Sequence, residues 1–244
     1  HDDIVRVRAE AGRLRQALRA RQVDDALRLA ETVLAAARRL ADAGTGVFRP
    51  SDEERQELEF ITGHAAMIRG YLPEADRQLL PVPGHAVRLY RTEIPQGLYA
   101  SLMDSNPSAL RREANPVESV AYADAELFAR RLGWILGARA RLPTLAEHAA
   151  AAGDPTKPPV AETAWTAANT DGVDARPVAT ARPNPLGFHD LLGNVEEWTL
   201  AKQGETRAPV VGGSVATAPA AGLPVRQVFK REKSRTLGFR IVIE

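Results

Sequence analysis

The chain contains no cysteine. That excludes disulfides, thiolate metal sites and a cysteine nucleophile, and leaves the redox character of the compartment open. It also lacks an excess of charge. Against 32 Lys and Arg stand 31 Asp and Glu, a formal net charge of +1 that argues against a nucleic-acid groove. The local basic clusters LRREAN (110–115) and FKREKSR (229–235) are interrupted by acids. Long apolar runs are missing too, since no stretch approaches the roughly 20 residues that span a bilayer. The sequence opens on His1 rather than Met, as it would had a leader or lipid anchor been removed.

What is present is 244 residues, 44% of them hydrophobic, enough for one large domain or a domain with an appendage. Residues 1–43 are rich in Ala, Arg and Leu. Leu14, Ala17 and Leu18, then Leu27, Ala30, Val33, Leu34 and Ala37, fall at helical spacing. RQVDDA (21–26) offers an aspartate cap between two helices, so this part reads as a helical hairpin. AGTGVFRP (43–50) breaks the pattern. Ser51 then stands three residues before Glu54, a capping-box spacing that starts a third helix with Leu58, Ile61, Ala65 and Ile68 inward, to about Arg69. The hairpin is either a pedestal or linker, or a helical surface for a partner.

After LLPVPGH (79–85) the texture changes. Short β-type segments such as AVRLY (86–90) and APVVGG (208–213) alternate with Pro and Gly. Two helices are expected, over 120–136 and over 144–153, the second capped by Thr144 with Glu147. Residues 154–187 read as loop. The expected fold class is α+β, with a helical extension over 1–80 (a hairpin plus a third helix) and an irregular domain over 81–244.

Six pieces occur in order: EIPQGLYASLMDSNPS (93–108), NPVESVAYADAELFARRL (115–132), RLPTLAEHAAAAG (141–153), GFHDLLGNVEEW (187–198), VVGGSV (210–215) and RTLGFRI (235–241). Together they resemble the formylglycine-generating-enzyme, or sulfatase-modifying-factor, domain over about 86–244. The resemblance implies an irregular C-type-lectin-like fold. Within it Gly212 and Gly213 would allow close backbone approach and Phe239 would plug the core.

The departures bear on chemistry. Catalytic members hold copper with a cysteine pair between the GGS and GFR motifs. Here that interval, 215–237, holds none, so no soft thiolate is available and no copper is expected. His148 stands where the family has tryptophan, Val211 where it has arginine, and Val215 where it has tryptophan. None of the five histidines (His1, His64, His85, His148, His189) has a metal-ligand spacing, and His148 and His189 are expected to satisfy hydrogen bonds.

The Gly193–Asn194 turn before Glu196, Glu197 and Trp198 admits two readings. In one, Trp198 anchors the core, Glu197 bonds backbone amides and Asn194 takes a special turn conformation. In the other, a hard cation sits there. The resemblance implies calcium on the Glu197 side chain and the backbone oxygens of Leu192, Gly193 and Val195. It implies a second calcium at Asn169, Thr170 and Asp174.

The resemblance and the missing cysteines imply a non-catalytic binding or regulatory module, periplasmic or otherwise extracytoplasmic. Its partner would be a protein, such as the periplasmic region of the membrane Ser/Thr kinase served by regulators of type VI secretion, which pair this domain with extra helices. Arg226, Val228, Lys230, Arg231 and Lys233, beside Phe229, form the candidate partner surface, with apolar centre and charged rim. Against it stands a solvated strand pair with Phe229 in the core. Two other functions stay open: a siderophore-maturation type of enzyme with another cofactor, and a lectin-like receptor of the retroelement-diversified class.

Overall fold

The computed structural model describes residues 2–42, 51–154, 157, 159–220 and 222–244. The break expected over 43–50 lies outside them. The chain forms two compact units, residues 1–76 with 131–139, and residues 77–130 with 140–244.

The first unit is helical. It comprises α1 (Asp2–Arg19), α2 (Val23–Asp42), α3 (Asp52–Gly63) and α4 (Ala65–Tyr71), the start of a 3-10 segment (Leu72–Gln78), and the end of α6 (Tyr122–Leu136). Each apolar position read from the helical spacing of the hairpin is buried. Asp24 and Asp25 do not cap α2. They sit inside its first turn, where their charge suits the positive end of the helix dipole. Ser51 and Glu54 form the reciprocal capping box at α3. The single third helix divides at His64, whose ring stacks on Phe60 and whose Nδ1 lies 2.8 Å from the Phe60 carbonyl oxygen. Gly63 beside it weakens the helix at the same point.

The second unit is α+β and irregular. One sheet runs β1 (Leu79–Pro81), β2 (Arg88–Tyr90), β8 (Val242–Ile243), β3 (Ala140–Arg141) in that order. The other runs β6 (Val225–Phe229), β5 (Arg207–Val211), β4 (Glu196–Trp198), β7 (Leu237–Phe239). All pairings are antiparallel except β4 with β7. Beside the sheets lie α5 (Gln96–Met103), the start of α6, α7 (Leu145–Ala152) and the short α8 (Val160–Thr163). Thr144 and Glu147 close a capping box on α7. Between 154 and 187 the described residues hold α8 and a single bridge from Trp165 to Gly193, and otherwise run as turns and irregular loop.

Phe239 does plug this unit. Its ring meets Phe128 edge-on at 5.2 Å and Tyr99 at 6.2 Å. Trp198 is fully buried, with Tyr122 edge-on to it and its Nε1 donating to the Val120 carbonyl at 2.8 Å. Gly212, at φ 97°, passes so close to Leu191 that an added Cβ would lie 2.9 Å from its carbonyl oxygen.

Candidate functional site

The sequence around Arg240 is apolar, Leu-Gly-Phe before it and Ile-Val-Ile after it. An arginine carried inside on such a segment has to be matched, because an unpaired buried charge is prohibitively costly. Parallel pairing of β4 with β7 sets Glu197 opposite Gly238 and brings its carboxylate to Arg240. Arg240 Nε and Nη2 donate to the two Glu197 oxygens, each at 2.7 Å. Nη2 also donates to the carbonyls of His189 and Asp190, and Nη1 to that of Tyr90. His148 Nε2 lies 3.0 Å from Glu197 Oε2. Arg240 is 0% and Glu197 1% exposed. Burial pushes the Glu197 carboxyl up. The Arg240 charge and the His148 ring outweigh it and hold the group below the usual carboxylate range.

A second buried carboxylate, Glu93, ties down the turn before β4. Its Oε1 accepts from the Val195 amide at 3.0 Å and its Oε2 from Asn194 Nδ2 at 2.8 Å. Asn194 sits at φ 57°, and its Oδ1 accepts from the Arg176 amide at 2.8 Å. Gly193 packs against Trp165 so closely that a Cβ would collide with the Trp165 carbonyl oxygen. Asp190, at φ 55°, accepts from the Ala179 amide through Oδ2, while its Oδ1 is buried without a hydrogen-bond partner. Burial first, then the neighbouring Asp190 and Glu197, holds Glu93 well above the carboxylate range against the pull of Arg240. Burial likewise pushes Asp190 up to about 6.

This network draws on four of the sequence pieces: Glu93, His148, Asn194 with Glu197, and Arg240. Glu93, Asp190 and Arg240 were missed as functional groups by reading those pieces for backbone shape. For Arg240 the signal was there, a charged residue inside an apolar run.

The residues suggested for calcium are placed differently from what a cation would need. Glu197 does not bond backbone amides, and it does not present a free carboxylate; Arg240 and His148 take its two oxygens. Val195 and Gly193 give their amides, not the backbone oxygens a cation would take, to Glu93 and Gly212, and Leu192 lies beside them in the same turn. At the second place, Asn169 bridges the Thr166 amide and the Ala164 carbonyl. Thr170 donates to the carbonyls of Thr166 and Val215, and Asp174 pairs with Arg235 at 2.8 Å. Among the described residues, no three His, Asp or Glu side chains are grouped to hold a metal. As the side chains stand, the Glu197 carboxylate is taken up by Arg240 and His148, and that of Asp174 is paired through Oδ1 with Arg235.

The expected partner surface is partly reassigned. Val228 is buried, because it falls on the inward phase of β6. Phe229 is not in the core but 41% exposed, with the guanidinium carbons of Arg207 and Arg231 at 4.1 and 5.2 Å from its ring centroid. Arg226 is paired with Glu196, Lys233 with Asp124, and Lys230 lies over the Tyr122 ring. His189 bonds the Ala181 carbonyl through Nδ1 and meets Arg91 through Nε2. Burial lowers its pKa.

Fold and network together define a mixed α+β protein of formylglycine-generating-enzyme-like architecture. The chain belongs to the sulfatase-modifying factor enzyme 1-like domain family, whose model matches residues 84–244. Solved structures agree on the fold. Treponema denticola variable protein 1 superposes with a TM-score of 0.57 at 21% identity, covering 68% of this chain and 91% of its own. PvdO from Pseudomonas aeruginosa gives 0.55 at 18%, covering 65% and 80%. CarF gives 0.54 at 23%, covering 68% and 92%. No curated protein sequence matches the chain. As a member without cysteine it has no ligands for the copper–thiol mechanism.

Proposed function

We propose that this protein is a non-catalytic member of its family that works by binding another protein outside the cytoplasm. One observation carries the reading. The interval that holds the copper cysteines in catalytic members here supplies β6, with Phe229 exposed between basic side chains. Phe229 offers an apolar contact, and Arg207 and Arg231 a charged rim. The buried network around Arg240 serves as scaffold for that face, its charges engaged with one another or with backbone. The turn at 192–197 is held by ion pairing and by Glu93, without calcium.

The partner we propose is the periplasmic sensor region of a membrane Ser/Thr kinase of type VI secretion. The pairing of a helical unit with the family domain supports it. Among the described residues, no helix is long and apolar enough to cross a membrane. The test is calorimetric titration of that sensor region into the purified protein, beside an assay on a cysteine-containing sulfatase peptide. Saturable binding with no conversion of the peptide to its aldehyde is expected. No binding would overturn the kinase assignment. Turnover, or a redox cofactor that co-purifies, would overturn the non-catalytic reading in favour of an enzyme.

A further inference from the structure

The two ends of the sheet that contains β6 are finished differently. At the β7 end, the Phe239 carbonyl accepts from the Ile94 amide at 3.0 Å, and the Ile94 carbonyl from Val117 at 2.8 Å, so other chain segments cover that edge. At the opposite end, β6 pairs with β5 and closes the strand order. Its five register pairs run from Arg207 opposite Phe229 to Val211 opposite Val225 without a bulge, and β6 contains no proline. Bulges and prolines are devices by which proteins protect an edge from further pairing.

The direction of its peptide groups follows from bonds at either side of the pairing. The Lys230 amide donates to the Thr206 carbonyl, and the Gly212 amide to that of Pro224. In an antiparallel pair the bonded residues alternate. Arg226 and Val228 therefore face β5 with their peptide groups, while the N–H and C=O of Val225 and Gln227 point away from it. Pro209, opposite Gln227, agrees: its carbonyl accepts from Thr199 on the β4 side. Side chains alternate as well. Arg226 reaches Glu196 and Val228 is buried, while Val225 (52%), Gln227 and Phe229 are exposed on the other face.

We propose that this edge takes up an extended acidic segment of a partner protein as a fifth strand. The proposal rests on the protein-binding reading above and specifies its geometry. Backbone bonds to Val225 and Gln227 would hold the segment, as in other cases of strand addition. An apolar side chain would lie by Val225, and carboxylates would reach Arg207 and Arg231 beside Phe229. Those two arginines give the preference for acid, since Arg226 and Lys233 are already matched by Glu196 and Asp124. A second copy of this chain is a poor occupant. Antiparallel pairing of two β6 strands would bring the Arg207 and Arg231 pairs of both copies onto one sheet face.

The test uses the whole chain, labelled with 15N, and a synthetic peptide, acetyl-Thr-Glu-Thr-Val-Thr-Glu-Thr-amide, beside its counterpart with Lys for Glu. The acidic peptide should shift the amides of Val225 and Gln227 and slow their hydrogen exchange; the basic one should bind at least tenfold more weakly. Gln227→Pro removes a donor that faces away from β5, so it should keep the melting temperature and lose binding at least tenfold. Arg207→Glu with Arg231→Glu should reverse the preference between the peptides, and covers the case in which the proline variant fails to fold. Unchanged binding in both variants, shifts centred elsewhere, or self-association abolished by Gln227→Pro would each overturn the proposal. A kinase sensor region that binds wild type and Gln227→Pro equally would overturn the edge while leaving the protein-binding reading in place.

Discussion

Arg240 meets both carboxylate oxygens of Glu197 at 2.7 Å across the parallel pairing of β4 with β7, and neither residue touches solvent. The adjacent Glu196 points the other way, to the exposed Arg226. Two neighbouring glutamates therefore differ in what they hold.

Glu197→Gln should be severe, because it strands the Arg240 charge inside the domain. A loss of about 3–5 kcal/mol is expected. Glu196→Gln removes the half-buried partner of an exposed arginine and should cost less than about 1 kcal/mol. Denaturant unfolding of the two variants measures the difference. Equal losses would contradict the buried pair.

Calcium should leave the melting curve where a chelator leaves it. A cation that bound the native state alone would raise stability by mass action, but the 192–197 turn offers it no free carboxylate. A calcium-dependent rise that disappears in Glu197→Gln would restore the metal reading.

Asp190→Asn tests the raised carboxyl. With a folded pKa of about 6 against an unfolded value of 3.8, the folded state holds the extra proton between those values. The stability this group contributes is therefore present below pH 4 and lost as pH rises through 6. Asparagine tolerates the φ of 55° and cannot ionise. The variant should match wild type near pH 4 and exceed it above pH 6, by up to roughly 2–3 kcal/mol. Glu197 loses its contribution in the opposite direction, on acidification, but does so in both proteins. A difference independent of pH would refute the assignment.

Gly193→Ala should destabilise by at least about 1–3 kcal/mol, since φ is 75° there and the new methyl meets the Trp165 carbonyl. Thermal unfolding reads it. A neutral result would mean that the turn is not packed as described.

What the sequence made legible was local or carried by resemblance. The capping boxes at Ser51 and Thr144 are three-residue patterns whose partners lie within one turn, and both form. The buried face of the N-terminal hairpin follows from helical period alone. The family pieces carried the α+β fold. Glu93 and Asn194 are 101 residues apart, and no spacing rule pairs them. The phase of β6 was also beyond local reading. Whether Val228 or Phe229 points inward depends on which neighbour the strand finds, and five residues of mixed polarity do not decide it.

The segment 237–243 supplies β7 to one sheet and β8, between β2 and β3, to the other. During synthesis, residues 77–236 thus leave the ribosome before either sheet can close, with Glu197 lacking the guanidinium that matches it. Neither sheet is complete until this short apolar segment, which carries one charge, has docked. Chaperones that hold exposed strands would have to act before it, and a nascent chain stalled at residue 236 would present both sheets unfinished.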